Sequence, residues 1–427
     1  MSHSHLDAID AQLWPGVAEV PVPRFGAWRA RRAEAQFAQA CDAAGLVLEG
    51  ADADLRVAHD ALFDRLAHGG WVGFAESYLA GEWTTPDSAH LVRVLKRLLG
   101  AGYAPKTPAV PESPATGGEL PTELVKLYAG DRVSHQGGIF STGVPTTVRE
   151  SVPAYERSGA KEHFVDVTHL SEPTAVDRED LRSAQERAAA WLADATRVGA
   201  GSHVLVFPAT GLQAAVQAAE RRAVVDILTA DPERAEAVRE HLVLAGVSDN
   251  VACQDIEHLV PSPQEWRGRY DAIISIEALE SLGSRERGRY VQAIDRLLDA
   301  SGRAVIQTTV ATEQMTGPGR DALQALKAYV WPGLGLLTVP EINKLVERST
   351  GLRIVAQTHT GPHYRESLEQ ERSFFVGHLR EAAAAGFDPV YRRLWTYQFA
   401  LREALFALGM ADSVQFTLVH RNRGGRR

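Results

Sequence analysis

Cysteine, lysine and long apolar runs are all scarce in this chain of 427 residues. Its two cysteines, Cys41 and Cys253, are too few for a disulfide framework or a cysteine-based zinc site, which favours a reduced, cytoplasmic protein. No run approaches the roughly 20 apolar residues that a membrane span needs, and the first residues lack the basic-then-apolar order of a secretory signal. We therefore expect any membrane contact to be peripheral, at the inner membrane face.

An excess of basic charge is absent as well. The 54 acidic residues outnumber the 45 basic ones, which leaves a net charge of −9 and argues against nucleic acid as a partner. Hydrophobic residues make up 45% and charged residues 23% of the chain, a balance that excludes wholesale disorder. The 15 histidines are scattered, and the run from Ser2 to His5 is too short for a metal site, so no metal is predicted.

A proline-rich stretch divides the chain. Residues 103–121 carry five prolines and a glycine pair, which is typical of a linker. We predict a mainly helical N-terminal domain over 1–104, a linker over 105–121 and a larger domain over 122–427. Helical spacing in the first domain is found at 29–45, 60–70 and 90–102.

The larger domain alternates short apolar strands with amphipathic helices. Such alternation predicts parallel βαβ units, and hence an α/β fold with a doubly wound sheet covered on both faces. The first predicted strand, at 202–207, runs into a glycine-containing turn that ends at Gly211. The other predicted strands lie in 223–231, 250–255, 270–278, 303–310, 352–360 and 413–421. In such sheets a ligand binds beyond the carboxyl ends of the strands, near the switch point of the strand order.

Four segments occur in order along the chain: GFAESYLAGEW (73–83), IISIEALESLG (273–283), YVWPGLGLLTVPEI (329–342) and GPHYRESL (361–368). Together they resemble the cyclopropane-fatty-acyl-phospholipid synthase family. The resemblance covers roughly residues 14–420 and is greatest to the branch of fatty-acid methyltransferases that make tuberculostearic-type lipids. It implies a Rossmann-like class I methyltransferase sheet, and an N-terminal domain for lipid docking or dimerisation.

The resemblance also implies a chemistry. The family uses S-adenosylmethionine to alkylate the cis double bond of a phospholipid acyl chain, and a bound bicarbonate accepts the proton. Carried over by motif, the catalytic positions are Glu280, His363, Tyr364 and Gln307. Each has a structural alternative: Glu280 as a carboxylate at the start of the helix near Ser284, the others as polar groups that satisfy loops or backbone.

The cofactor turn departs from the family pattern, which has an acid at the strand end and glycines around the bend. Here Val206 replaces the acid, Pro208 removes an N–H donor, and Leu212 replaces a glycine. Gly211 remains, one place out of register. The family's active-site cysteine is absent, since neither cysteine lies in 130–172. The cofactor positions that survive in altered form are Thr210, Gly211, Thr229 and Asp255.

Three hypotheses follow. The first is a catalytically degenerate family member that needs no cofactor and acts as the partner or regulator of an active paralogue, or of a second copy of itself. The second is an active methyltransferase that uses S-adenosylmethionine and bicarbonate on phospholipid acyl chains. The third is a module that binds another anion at the helix after PATGLQ (208–213). The arginine-rich end, 420–427, is either a solvated terminus or a contact for anionic headgroups.

Overall fold

A computed structural model describes residues 4–21, 26–112, 120–134, 138–154, 163–208 and 210–421. Residues 422–427 of the arginine-rich end, and Ser2 and His3 of the run from Ser2 to His5, therefore lie outside the described residues. No described helix is both long and apolar enough to cross a membrane. The helices of the described part are α1 (Pro15–Ala18), α2 (Gly26–Ala44), α3 (Ala61–Gly69), α4 (Trp71–Ala80), α5 (Ser88–Gly100), α6 (Thr122–Val125), α7 (Leu181–Ala195), α8 (Leu212–Glu220), α9 (Pro232–Leu244), α10 (Ser284–Leu297), α11 (Gly317–Tyr329), α12 (Val339–Ser349), α13 (Gly361–Gly377), α14 (Leu379–Ala384) and α15 (Pro389–Ala407).

The strands of the described part are β1 (Arg56–Val57), β2 (Trp83–Thr84), β3 (Thr147–Pro153), β4 (Phe164–Leu170), β5 (His203–Val206), β6 (Val224–Thr229), β7 (Val251–Asp255), β8 (Tyr270–Ile276), β9 (Leu298–Ala311), β10 (Leu352–His359) and β11 (Ala411–His420).

The chain forms two compact units, which divide it differently from the predicted domains. The first, here the helical unit, comprises Met1–Glu112, Glu313–Leu334 and Arg372–Ala411; the second, the sheet unit, comprises the rest. The break after Glu112 falls within the predicted linker. Two segments that the sequence assigned to the larger domain therefore belong to the helical unit. One reason is visible in the first of them, where the Tyr329 hydroxyl donates a 2.7 Å hydrogen bond to Glu76 Oε1 in α4.

The aromatic segment 73–83 forms the core of the helical unit. Trp71, Phe74, Leu79 and Trp83 are all fully buried, and the rings of Phe74 and Trp83 stack with centroids 4.4 Å apart. Helix α4 ends at Gly81, whose φ of 78° is the left-handed conformation that glycine adopts without cost. The large side chains named here are therefore packed inside the unit.

The sheet unit confirms the predicted doubly wound fold. Its nine strands run in the order β3-β4-β10-β11-β9-β8-β5-β6-β7. The pairs β7–β6, β6–β5, β5–β8 and β8–β9 are parallel, whereas β11 is antiparallel to β10. Side chains alternate between two cores: Ile273 lies in the cluster on one face and Ile274 in the cluster on the other. Both faces of the sheet are thus covered, as parallel strands require.

Strands β3 and β4 were not predicted from the sequence. β3 is an edge strand with mostly exposed side chains, so it lacks the apolar alternation by which strands are recognised. It pairs antiparallel with β4, which in turn lies parallel to β10.

The start of α9 lies where the sequence predicts it. Asp231 caps this helix by accepting hydrogen bonds from the N–H groups of Glu233 and Arg234, and Pro232 lies in the first turn.

The switch point of the sheet lies between β5 and β8. From β5 the chain proceeds to β6 and β7 on one side, and from β8 it proceeds to β9 on the other. The helices that follow cannot fill the space where the order reverses, so a crevice forms at the carboxyl ends of these strands. The residues of interest lie there.

Candidate active site at the ends of strands β5, β8 and β9

A buried acid–phenol pair lies at the carboxyl end of β8. The hydroxyl of Tyr364 donates a hydrogen bond of 2.8 Å to Glu277 Oε2, and both residues are at most 3% exposed. Glu277 has a φ of 49°, which is uncommon for a residue with a side chain and stores strain. Its N–H donates to the carbonyl of Gln307 at the neighbouring strand. The strained backbone and the hydrogen bond together hold the Glu277 carboxylate toward α13.

Glu280 follows Glu277 by three residues and is hydrogen-bonded to two residues near the end of β9. Its Oε2 accepts a 2.6 Å hydrogen bond from the Thr308 hydroxyl, and its Oε1 accepts one of 3.0 Å from the N–H of Thr309. At the start of α10 the Gly283 N–H donates a hydrogen bond to Glu286 Oε2, so Glu286 caps that helix. Glu280 is 8% exposed, and its two hydrogen bonds hold it against the end of β9.

Gln307 and His363, the other two residues predicted to be catalytic, are also buried. Gln307 is fully buried, and its Oε1 accepts a 3.0 Å hydrogen bond from Gln415 in β11. His363 is 1% exposed, with Nδ1 2.7 Å from the carbonyl oxygen of Phe140. Burial lowers the pKa of His363, despite hydrogen bonding to backbone carbonyls, so its ring is neutral at physiological pH. The fold thus brings Glu280, Tyr364 and Gln307 to one edge of the sheet.

The turn after β5 is filled by its own side chains. Val206, Phe207 and Leu212 are each at most 2% exposed and belong to the two hydrophobic cores. Gly211 lies against β8 so closely that a Cβ there would be 2.3 Å from Ile276 Cδ1. The Thr210 hydroxyl donates a 2.5 Å hydrogen bond to the carbonyl of Ile276. Thr210 and Gly211 therefore hold the turn against β8.

Residues of the loop between α6 and β3 cover the first turn of α8. The N–H of Leu212 donates a 2.9 Å hydrogen bond to Ser134 Oγ. Asp131 accepts hydrogen bonds from the Ser134 N–H and hydroxyl and, at 3.3 Å, from Gln213 Nε2. The first donor of α8, which in this fold class faces the ligand, thus has a partner within the chain.

A small cavity lies beside Gly211 and Gln185. Within the described residues its volume is about 20 Å³, room for about one water molecule. The lining residues are Asp131, Ser134, Gly138, Ile139, Gln185, Ala188, Ala189, Leu192, Gly211, Gln213, Ala214, Ile276 and Gln307.

The two outer cofactor candidates lie at the ends of β6 and β7. Thr229 is fully buried, and its hydroxyl accepts a 3.2 Å hydrogen bond from the Asp231 N–H. The Asp255 carboxylate forms an exposed ion pair with Arg239, with a distance of 3.1 Å between Oδ2 and Nη2. Neither side chain contributes to the small cavity.

The described residues hold no cluster of three or more histidine, cysteine, aspartate or glutamate side chains arranged for a metal. Cys41 and Cys253 are both free and buried. Cys41 belongs to the helical unit, and Cys253 lies within β7 of the sheet unit.

The turn of this chain does not fit S-adenosylmethionine in the way the family pattern implies. The methionine part of that cofactor carries an ammonium and a carboxylate, which need an acid at the strand end and free N–H groups at the bend. Here Val206 offers no charge, Pro208 offers no N–H, and the Leu212 N–H is bound to Ser134.

The strand order and the position of the switch point are those of the class I methyltransferase fold. The family model "Mycolic acid cyclopropane synthetase" matches residues 172–416, more than half of the chain. The chain therefore belongs to this family of lipid methyltransferases and cyclopropane synthases.

Individual relatives agree with this assignment. The tuberculostearic acid methyltransferase UfaA1 of Mycobacterium tuberculosis is 28% identical over 96% of both chains. Cyclopropane mycolic acid synthase 3 of the same organism is 26% identical over 35% of this chain and 54% of its own. The resemblance inferred from the four sequence segments is thus confirmed.

Solved structures show the shared fold. The M. tuberculosis cyclopropane synthase MmaA2 matches with a TM-score of 0.51 at 18% identity, over 70% of this chain and 94% of its own. The [4+2]-cyclase SpnF matches with a TM-score of 0.51 at 15% identity, over 73% and 97%. Since proteins described by different reactions share this sheet, the fold does not decide the chemistry.

Sequence reasoning located the site but missed Glu277. The motif IISIEALESLG drew attention to Glu280, whereas Glu277 in the same segment binds Tyr364 directly. A signal was present: an acid that directly follows five apolar or small residues of a buried strand needs a partner. Asp131 and Ser134 were also missed, because they lie in a segment where no motif was recognised.

Proposed function

We propose that this chain is a catalytically degenerate member of its family, which acts as a partner or regulatory subunit of an active methyltransferase in branched membrane-lipid synthesis. In this proposal the protein is cytoplasmic, touches the inner membrane face and works in a homo- or hetero-oligomer. It keeps the family's fold and the acidic end of β8, and it no longer binds S-adenosylmethionine.

The observation that carries the proposal is the closed turn after β5. Phe207 and Leu212 are part of the hydrophobic cores, and Gly211 lies against Ile276. The Leu212 N–H, the first donor of α8, is bound to Ser134 Oγ. These contacts support a turn that offers neither the acid nor the free N–H groups of the family pattern.

Titration calorimetry of the whole chain with S-adenosylmethionine and S-adenosylhomocysteine tests the loss of cofactor binding. We expect no heat of binding for either ligand, and micromolar binding of either would overturn the proposal. An active family member, titrated in the same buffer, is the positive control. The partner role is tested by adding the chain to that active enzyme and measuring methyl transfer to phospholipid; an unchanged rate and substrate range would contradict it.

The second candidate is an active methyltransferase or cyclopropane synthase that acts on the cis double bond of phospholipid acyl chains. It is favoured by the buried Glu277–Tyr364 pair and by Glu280, since burying two carboxylates without a function is costly. In this case the chain would use S-adenosylmethionine, with bicarbonate as the proton acceptor.

Lipid analysis of a host that expresses the chain alone tests this second candidate. New methyl-branched or cyclopropane acyl chains, absent with Glu280→Gln, would establish activity and exclude the degenerate reading. Unchanged unsaturated chains, with the protein expressed and folded, would exclude activity.

A further inference from the structure

An exposed tryptophan, Trp28, lies in the first turn of α2 in the helical unit. Trp28 in α2 is 63% exposed, whereas Phe37 of the same helix is 1% exposed. The two residues are nine positions apart, which at about 100° per residue places them on opposite sides of the helix. Trp28 thus points directly away from the core. This side chain therefore leaves a large apolar surface exposed to water.

Three arginines surround this tryptophan. Arg29, Arg31 and Arg32 are exposed, and the Arg32 guanidinium lies over the Trp28 ring, 5.7 Å from its centroid. No ion pair with a described residue involves any of the three. Elsewhere in the same unit arginines do have acidic partners: Arg65 with Glu82, and Arg93 with Asp54. The four residues Trp28, Arg29, Arg31 and Arg32 are here called the α2 patch.

The position of Arg29 is unfavourable for the helix itself. It lies in the first turn of α2, where the helix dipole is positive and a cation destabilises, and this turn carries no acidic residue. The chain as a whole has a net charge of −9, so its surface has no general excess of arginine over acid. A local cost without a structural return is typical of a binding surface.

We propose that the α2 patch docks the helical unit on the surface of a membrane that contains anionic phospholipids. Trp28 inserts at the level of the headgroups, where the ring is apolar and its N–H meets water, and the three guanidinium groups bind lipid phosphates. The proposal deepens the proposed function, since it rests on the peripheral membrane contact assumed there and names the surface that makes it.

The charge and shape of the α2 patch favour an anionic bilayer over a protein partner. Each guanidinium offers paired N–H donors that match two phosphate oxygens, and a bilayer presents such phosphates side by side in one plane. A protein partner would have to supply three carboxylates around a tryptophan pocket, whereas an anionic bilayer supplies both features without a dedicated site. The segment 73–83 cannot serve instead, because its large aromatic and aliphatic side chains are buried.

Co-sedimentation with lipid vesicles tests the proposal. The wild-type chain is mixed with vesicles of phosphatidylcholine alone, or of phosphatidylcholine and phosphatidylglycerol in equal parts. We expect binding to the second kind only, and weaker binding as salt is added. Replacing each arginine by alanine is expected to weaken binding about fivefold, and replacing all three about a hundredfold. Trp28→Ala is expected to weaken binding without changing its salt dependence.

A charge-matched control keeps the test specific. The exposed residues Arg320, Arg348 and Arg380 lie in α11, α12 and α14, and their replacement by alanine removes the same charge from other surfaces. If this triple variant loses as much binding as Arg29, Arg31 and Arg32 together, or if the wild type ignores anionic vesicles, the proposal is wrong. Circular dichroism confirms that each variant is folded. The outcome is independent of the calorimetry, so either proposal can fail alone.

Discussion

The Tyr364 hydroxyl and the Glu277 carboxylate, 87 positions apart in the chain, form a 2.8 Å hydrogen bond in the interior of the sheet unit. Glu277 ends a parallel strand with a strained φ of 49°, and Tyr364 lies in the first turn of α13. This relationship links the motif around Glu280 to the motif around Tyr364. It has consequences that can be measured whether or not the protein is an enzyme.

Removing the phenolic hydroxyl should destabilise the fold. In Tyr364→Phe the buried Glu277 carboxylate loses a donor, and we expect the free energy of unfolding to fall by about 1–3 kcal/mol. Urea denaturation measures this change. Tyr397→Phe is a matched control, because the buried Tyr397 hydroxyl has no hydrogen-bond partner among the described residues. Equal losses in both variants would contradict the importance of the bond.

The strained backbone at Glu277 makes a separate prediction. Both Glu277→Ala and Glu277→Gly remove the carboxylate, but glycine adopts a positive φ without cost. We therefore expect the glycine variant to be more stable than the alanine variant by about 1 kcal/mol, the reverse of the usual order within a regular element. Thermal unfolding of the two proteins decides between them. A more stable alanine variant would show that the strain is absent.

The closed turn after β5 can be tested through Leu212. If this side chain is a core residue, Leu212→Ala should reduce the free energy of unfolding by about 2–5 kcal/mol. Leu244 is 87% exposed, and its replacement by alanine should change stability by no more than about 0.5 kcal/mol. A neutral Leu212→Ala would mean that the turn is open in solution and would weaken the case for a degenerate site.

A buried carboxyl in the helical unit should make stability depend on pH. Burial raises the pKa of Glu76, although its hydrogen bond from Tyr329 and the nearby Arg65 oppose the shift. Between its ordinary and its raised pKa, Glu76 holds a proton in the folded chain that the unfolded chain has released. Its contribution to stability is therefore present at low pH and declines as pH rises through the raised value.

Glu76→Gln provides the comparison. The amide oxygen of glutamine still accepts the Tyr329 hydroxyl, but it does not titrate. We expect the difference in unfolding free energy, wild type minus variant, to fall as the pH rises from mildly acidic to neutral. Denaturation curves recorded across that interval measure it. A difference that stays constant with pH would show that Glu76 titrates normally.

Both thiols should be protected in the folded protein. Burial, and to a smaller extent Asp42, raises the pKa of Cys41 to about 12, and Cys253 lies buried within β7. Since the thiolate is the reactive form, we expect neither cysteine to react with a disulfide reagent at neutral pH, and both to react after denaturation. Rapid labelling of the native chain would contradict the burial of one of them.

The sequence alone was sufficient for the main architecture. Apolar strands such as 270–278 and amphipathic helices such as 29–45 are determined by local periodicity, and they lie within a few residues of their predicted bounds. The motif around Glu280 and Tyr364 predicted the family, and the departures at Val206, Pro208 and Leu212 were visible without a structure.

Only the tertiary structure decided what those residues contact. The pairing of Glu277 with Tyr364, the cover of α8 by Ser134, and the return of residues 313–334 and 372–411 to the helical unit all join parts that are distant in sequence. Periodicity reports which face of an element is buried, but not against which partner. Whether Leu212 fills the cofactor turn or lines it depends on such long-range packing, and the fold places it in the core.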